Sequence, residues 1–195
     1  MLPIGEAKLQ QFSLTYNVSH SILLLIKAMI YQFMGRVTVM KFHHVCINVS
    51  DMEEALKLYR DVLGFTVVAD KTIPDGKGPD NYFDQQTLDD IFHVKNSKSR
   101  MALLVSDERS LIELEQPIIP KIQKVPRKNI QYGYVGILEL ALRVKNIDEW
   151  FEKIKAAGYE TQTSYVWEAF NGKSKSFLFF DADDNMIQLC EDFKK

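Results

Sequence analysis

The chain is short of most features that announce a function. It has two cysteines, Cys46 and Cys190, in 195 residues, too few for a disulfide framework, so the expected setting is a reducing, cytoplasmic one. No charge predominates: 24 Lys and Arg stand against 26 Asp and Glu. The basic stripe of a nucleic-acid binder is missing, and so is the polybasic cluster that marks a membrane surface. The most apolar run, SILLLIKAMIY from Ser21 to Tyr31, is too short to span a bilayer and carries Lys27. It also makes a poor secretory leader, because Glu6 precedes it and no small-residue cleavage site follows. With nucleic acid and membrane set aside, the expected partner is a small molecule.

What is present is a repeat. Residues 1–39 show a loose helical pattern and no site chemistry, and are expected to be an N-terminal extension outside the core domain. From Met40 onward the pattern sharpens. Val45, Ile47 and Val49 alternate with His44, Cys46 and Asn48, the period of a half-buried strand. Ser50 or Asp51 can cap a helix from Met52 to about Leu63, which Gly64 ends. The later stretch GILELALRV (136–144) repeats the strand, Asn146 is the expected cap of a helix over Ile147 to Ala157, and Gly158 is its stop. Laying Val49 on Val144 aligns the two units at a constant offset of 95 and puts His44 on Glu139. Both units close alike: SLIELEQP (110–117) aligns with NMIQLCED (185–192), placing Glu113 on Gln188.

These periods predict an α+β fold of two tandem βαβββ modules, at about 40–117 and 135–195, joined by a linker over 118–134. A cupped mixed β-sheet with helices on the outside is the expected architecture. A Pro/Gly/Asp-rich loop over 71–100 separates strands of the first module and holds a short helix near Thr87 to His93.

Four polar residues occupy matched repeat positions: His44, Glu113, Glu139 and Gln188. If the valines, leucines and isoleucines of each strand pack on the helices, these four face the other side of the sheet. Taken singly, each has a bland reading as a strand residue with a wet face. Taken together they offer one imidazole, two carboxylates and an amide oxygen. The two carboxylates balance one divalent ion, and the donor set suits Ni, Zn, Mn, Co, Fe or Mg. An ion so held polarises a bound carbonyl and stabilises an enediolate. By the same parity Cys46, Asn48, Glu115 and Arg143 line the cleft as substrate-binding residues, and Arg143 faces an anionic group. Glu113 or Glu139 is the expected catalytic base. His43, on the helix-facing parity, reads as structural.

The stretches HHVCINVSDMEEALKLYRDVLGF, LIELEQP, GILELALRVKNIDEWFEKIKAAGY and FLFFDADDNMIQLCE resemble the vicinal oxygen chelate superfamily, over about residues 40–193. That group includes glyoxalase I, extradiol dioxygenases and the bleomycin and fosfomycin resistance proteins. The resemblance implies paired βαβββ modules, a metal held by the first and last strands of each, and a homodimer. Two departures stand out: Glu139 where the second module usually opens with His, and Gln188 where it usually closes with Glu. Glyoxalase I resembles this chain in ligand composition, but the Arg and Asn that often hold glutathione are replaced by Asn48 and Pro117. The reading that follows is a metal-dependent, glyoxalase-type lyase or isomerase of a small vicinal-oxygen substrate. The alternative is a non-catalytic binding protein of the bleomycin-resistance kind.

Overall fold

A computed structural model describes residues 41–193, so the expected extension over 1–39 lies outside the described residues. The first module runs β1 (His44–Asn48), α1 (Met52–Leu56), β2 (Thr66–Ile73), α2 (Gln85–Phe92), β3 (Lys98–Val105) and β4 (Leu111–Ile119). The second runs β5 (Glu139–Arg143), α3 (Ile147–Ala156), β6 (Trp167–Ala169), β7 (Ser174–Phe180) and β8 (Met186–Asp192). The strands form two four-stranded mixed sheets, ordered β1-β4-β3-β2 and β5-β8-β7-β6. In each, the opening strand runs parallel to the closing strand and the remaining pairs are antiparallel. The α+β class and the tandem βαβββ pattern are therefore as the sequence predicts. Among the described residues no hydrogen-bonded ladder joins the two sheets, and β1 and β5 are edge strands.

Register carries the repeat into three dimensions. His44 and Glu139 open β1 and β5, and these positions lie 95 residues apart (139 against 44). Cys46 pairs with Glu113 and Ala141 with Gln188, again 95 apart (141 against 46). The alternation of apolar and polar residues thus fixes the same side of both sheets as the polar one.

The opposite side is the core. Val49, Met52, Leu58, Leu104, Ile112 and Leu114 of the first module pack in one cluster with Ile147, Ile154, Phe177, Phe179, Ile187 and Leu189 of the second. Phe151 meets Phe177 edge to face, with ring centroids 5.1 Å apart. Apolar residues at helical spacing on α1 and α3 drive this packing, because each helix can bury its stripe only against a sheet.

Local capping follows the sequence in one module and departs from it in the other. Asp51 caps α1, accepting from the Glu53 and Glu54 amides at 2.9 and 3.2 Å. Beyond Leu56 the helix widens to a π-helical segment over Lys57–Val62, where the Leu63 amide reaches the Leu58 carbonyl at 2.8 Å. Gly64 and Gly158 end the two helices at φ +84° and +87°, in the left-handed region where glycine carries no Cβ penalty. Asn146 is the N-cap of α3 as expected, but it is left-handed and its side chain makes no capping hydrogen bond. The carboxylate of Glu191 on β8 accepts from the Asn146 and Ile147 amides instead, each at 3.0 Å. No helix among the described residues is long and apolar enough to cross a membrane.

Candidate functional site on the polar sheet faces

On the first sheet, His44, Cys46 and Asn48 share one face with their register neighbours Glu113 and Glu115. His44 Nε2 lies 3.7 Å from Glu113 Oε2, too long for a hydrogen bond. Two ligands each about 2.1 Å from one ion lie about 3–3.5 Å from each other, so the pair is spaced nearly as a bridging cation requires. Cys46 also touches Glu113. Burial pushes its thiol up to about 12, and the neighbouring Glu113 charge and hydrogen bond add to the push. That keeps the sulfur a neutral donor to the Glu113 carboxylate rather than a thiolate.

Glu115 is the most perturbed acid of this face. It is only 5% exposed, and its Oε1 has no hydrogen-bond partner. Its register partner Met101 is covered by Leu88 of α2, which packs with Met101 and Ile73 in a small cluster of its own. Burial pushes the Glu115 carboxyl up to about 7, against the hydrogen bond from Ser99, and the Glu113 charge adds to the rise. A buried, perturbed carboxyl beside an acid–imidazole pair is a candidate functional group. Strand parity places Glu115 on this face. Its burial is a tertiary outcome, of which sequence alternation carries no trace.

On the second sheet, Glu139, Arg143, Gln188 and Cys190 line a cavity of ≈470 Å³ together with Trp167, Phe170, Ser176 and Asp192. Arg143 is already engaged, with its Nε 3.0 Å from Asp192. The cavity's own carboxylates, Glu139 and Asp192, therefore outweigh its single guanidinium. Glu139 is held from outside the strand, where the Tyr132 hydroxyl donates to its Oε2 at 2.6 Å. The same hydrogen bond holds the Tyr132 phenol up at about 12.

Tyr132 was invisible as a site residue because it lies in the stretch read as a linker. That stretch is pinned down along its length. Lys124 reaches Asp183 at 2.9 Å, Arg127 reaches Glu160 at 2.9 Å, and the Arg127 guanidinium lies 3.9 Å over the Phe180 ring. Its prolines gave a signal for a connection and none for these contacts.

The four expected ligands thus fall into two half-sets, His44 with Glu113 and Glu139 with Gln188. Among the described residues no three His, Cys, Asp or Glu side chains gather round one point. The donor chemistry of the half-sets nonetheless fits a divalent ion: neutral imidazole, neutral amide, and two carboxylates to balance the charge.

Two βαβββ modules with a shared helical core and polar residues at matched points of their outer faces define a protein of the vicinal oxygen chelate type. The model of the Glyoxalase/Bleomycin resistance protein/Dioxygenase superfamily matches residues 41–189, and the chain belongs to that superfamily. No curated protein matches it by sequence. Among solved structures it is similar to a glyoxalase family protein from Bacillus cereus, with 15% identity over 83% of this chain and 99% of that one, at a TM-score of 0.67. A glyoxalase/dioxygenase from Nostoc punctiforme matches with 17% identity over 82% of this chain and 95% of that one, at 0.58. A glyoxalase family protein from Enterococcus faecalis matches with 22% identity over 77% and 97%, at 0.54. At these identities the likeness is one of fold.

Proposed function

We propose that the protein is a metal-dependent lyase or isomerase of glyoxalase I type, acting on a small substrate with oxygens on adjacent carbons. The observation that carries this reading is the His44–Glu113 pair, 3.7 Å apart on a polar face, matched in register by Glu139 and Gln188 on the second sheet. His44, Glu113, Glu139 and Gln188 hold one divalent ion of the group Ni, Zn, Mn, Co, Fe and Mg. When bound, such an ion polarises a substrate carbonyl as a Lewis acid.

The chain's own residues do the rest. Glu139, with one oxygen held by Tyr132, is the first candidate to take a proton from substrate carbon. Glu113, braced by Cys46, is the second candidate for that proton. Glu115, Asn48, Cys46 and Arg143 border the bound molecule.

Completion of the site calls for a homodimer. Edge strands β1 and β5 each have one hydrogen-bonded neighbour, and such edges accept a strand from another chain. Setting β1 of one copy beside β5 of another brings a His44–Glu113 pair and a Glu139–Gln188 pair onto one surface. The two free thiols suit a cytoplasmic location.

One observation favours the alternative, a metal-free binding protein: no three ligating side chains gather among the described residues. Metal analysis of the purified full chain, with melting curves in Ni²⁺, Mn²⁺ and Zn²⁺, decides between them. The enzyme reading expects one ion per chain, a dimer in solution and a raised Tm. Absence of bound metal together with an unmoved Tm overturns it in favour of the binding protein.

A further inference from the structure

His43 stands immediately before β1, with an exposed ring that belongs to no part of the core. Its Nδ1 lies 2.7 Å from Nδ1 of His44. The two rings meet edge to face, inclined at 78° with centroids 5.0 Å apart. Two imidazole nitrogens at that separation repel unless one carries a proton and the other presents a lone pair. Neither ring makes another hydrogen bond among the described residues, so this contact is the protein's own hold on their protons.

We propose that His43 is a positioning residue for His44: it accepts the His44 Nδ1 proton and thereby leaves Nε2 of His44 with a free lone pair on the Glu113 side. The inference rests on the metal reading above and deepens it. His44 Nε2 faces Glu113 Oε2 at 3.7 Å, beyond hydrogen-bond reach, so Glu113 does not fix the proton. For Nε2 to bind a cation, the ring must carry its proton on Nδ1, and a ligating histidine is oriented by whatever accepts there. The second module has Leu138 at the position equivalent to His43. Its opening residue Glu139 is instead held by Tyr132. Each opening-strand donor therefore has one atom held by a residue outside its strand and the other atom free.

The test is Zn²⁺ affinity of the full chain, measured by competition with a chromophoric chelator, for the wild type, His43→Leu and His43→Asn. Asn presents its Oδ1 close to where His43 presents Nδ1, so it restores the acceptor while Leu removes it. The expected result is a loss of about 10- to 100-fold for His43→Leu, with His43→Asn within about threefold of wild type. Nitrogen-15 spectra of the Zn²⁺-loaded protein at pH 9, above the ordinary imidazole range, should show the His44 proton on Nδ1 and lose that signal in His43→Leu. Equal affinities across the three proteins, or His43→Asn as weak as His43→Leu, overturn the proposal. A wild type that binds no Zn²⁺ sinks the metal reading and the proposal with it. Tight wild-type binding undiminished in His43→Leu sinks the proposal alone.

Discussion

The hydroxyl of Tyr59 donates to Asp181 Oδ2 at 3.1 Å, across 122 residues of chain and inside the core. Asp181 also gathers the turn that joins β7 to β8: its Oδ1 accepts from the Asp183 and Asn185 amides, each at 2.9 Å, and its Oδ2 accepts from the Asn185 side chain. Ser50, just ahead of α1, donates its amide to Asp183 at 2.7 Å. One carboxylate thus ties the first helix of the first module to the last turn of the second. Tyr59→Phe removes a single donor from an acid that keeps three others, and should cost about 1 kcal/mol. Asp181→Ala strands two amides and a buried phenol, and should cost about 3 kcal/mol or more. Urea unfolding of the two variants checks the order.

Glu115 should make the stability of the metal-free protein depend on pH. Its folded pKa is raised to about 7 from 4.5, so the folded state holds the proton more tightly than the unfolded one. Its contribution is then intact below pH 4.5 and lost as pH rises through about 7. Glu115→Gln keeps the shape and removes the titration. The variant should melt a few degrees higher than wild type at pH 8, with no gain at pH 4. A constant difference at both pH values contradicts the assignment.

Leu88 is 1% exposed and packs in one cluster with Ile73 and Met101 of the sheet. Leu88→Ala should cost about 2–3 kcal/mol, a fall in Tm of roughly 5–10 °C for a chain of this size. Thermal melting of the variant reads the effect.

Glu139 and Tyr132 separate ligand from support. Glu139 is half-buried in the lining of the cavity on the second sheet, so Glu139→Leu should leave the metal-free Tm within about 1–2 °C of wild type. Under the metal reading it should abolish the Tm rise produced by Ni²⁺ or Zn²⁺. Tyr132→Phe, which removes only the 2.6 Å hydrogen bond to Glu139, should keep that rise and weaken affinity by about tenfold. An unchanged metal response in Glu139→Leu removes this residue from the ligand set.

Much of the fold was legible from alternation alone. Val45, Ile47 and Val49 against His44, Cys46 and Asn48 named a strand and its two faces, and the same period at Leu138 to Val144 exposed the repeat. The observed registers keep that offset residue for residue, because a period-2 pattern cannot slip by one position without turning its whole apolar face to water. Asp51 and the helix-ending glycines were legible for the same local reason. Asn146 was legible as the cap position, but the carboxylate that accepts from the first amides is that of Glu191, 45 residues away.

The sequence by itself determined which side chains share a face, since strand parity is a local property of the backbone. It thereby placed His44 with Glu113 and Glu139 with Gln188. Only the tertiary structure decided what those faces became. Folding buried Glu115, and that burial raised its carboxyl. Folding the linker back brought Tyr132 to Glu139, and pairing β1 and β5 only with β4 and β8 left two half-sets on two sheets. Each of these outcomes depends on contacts between residues distant in the chain, whose energies come from burial and geometry that no local pattern encodes.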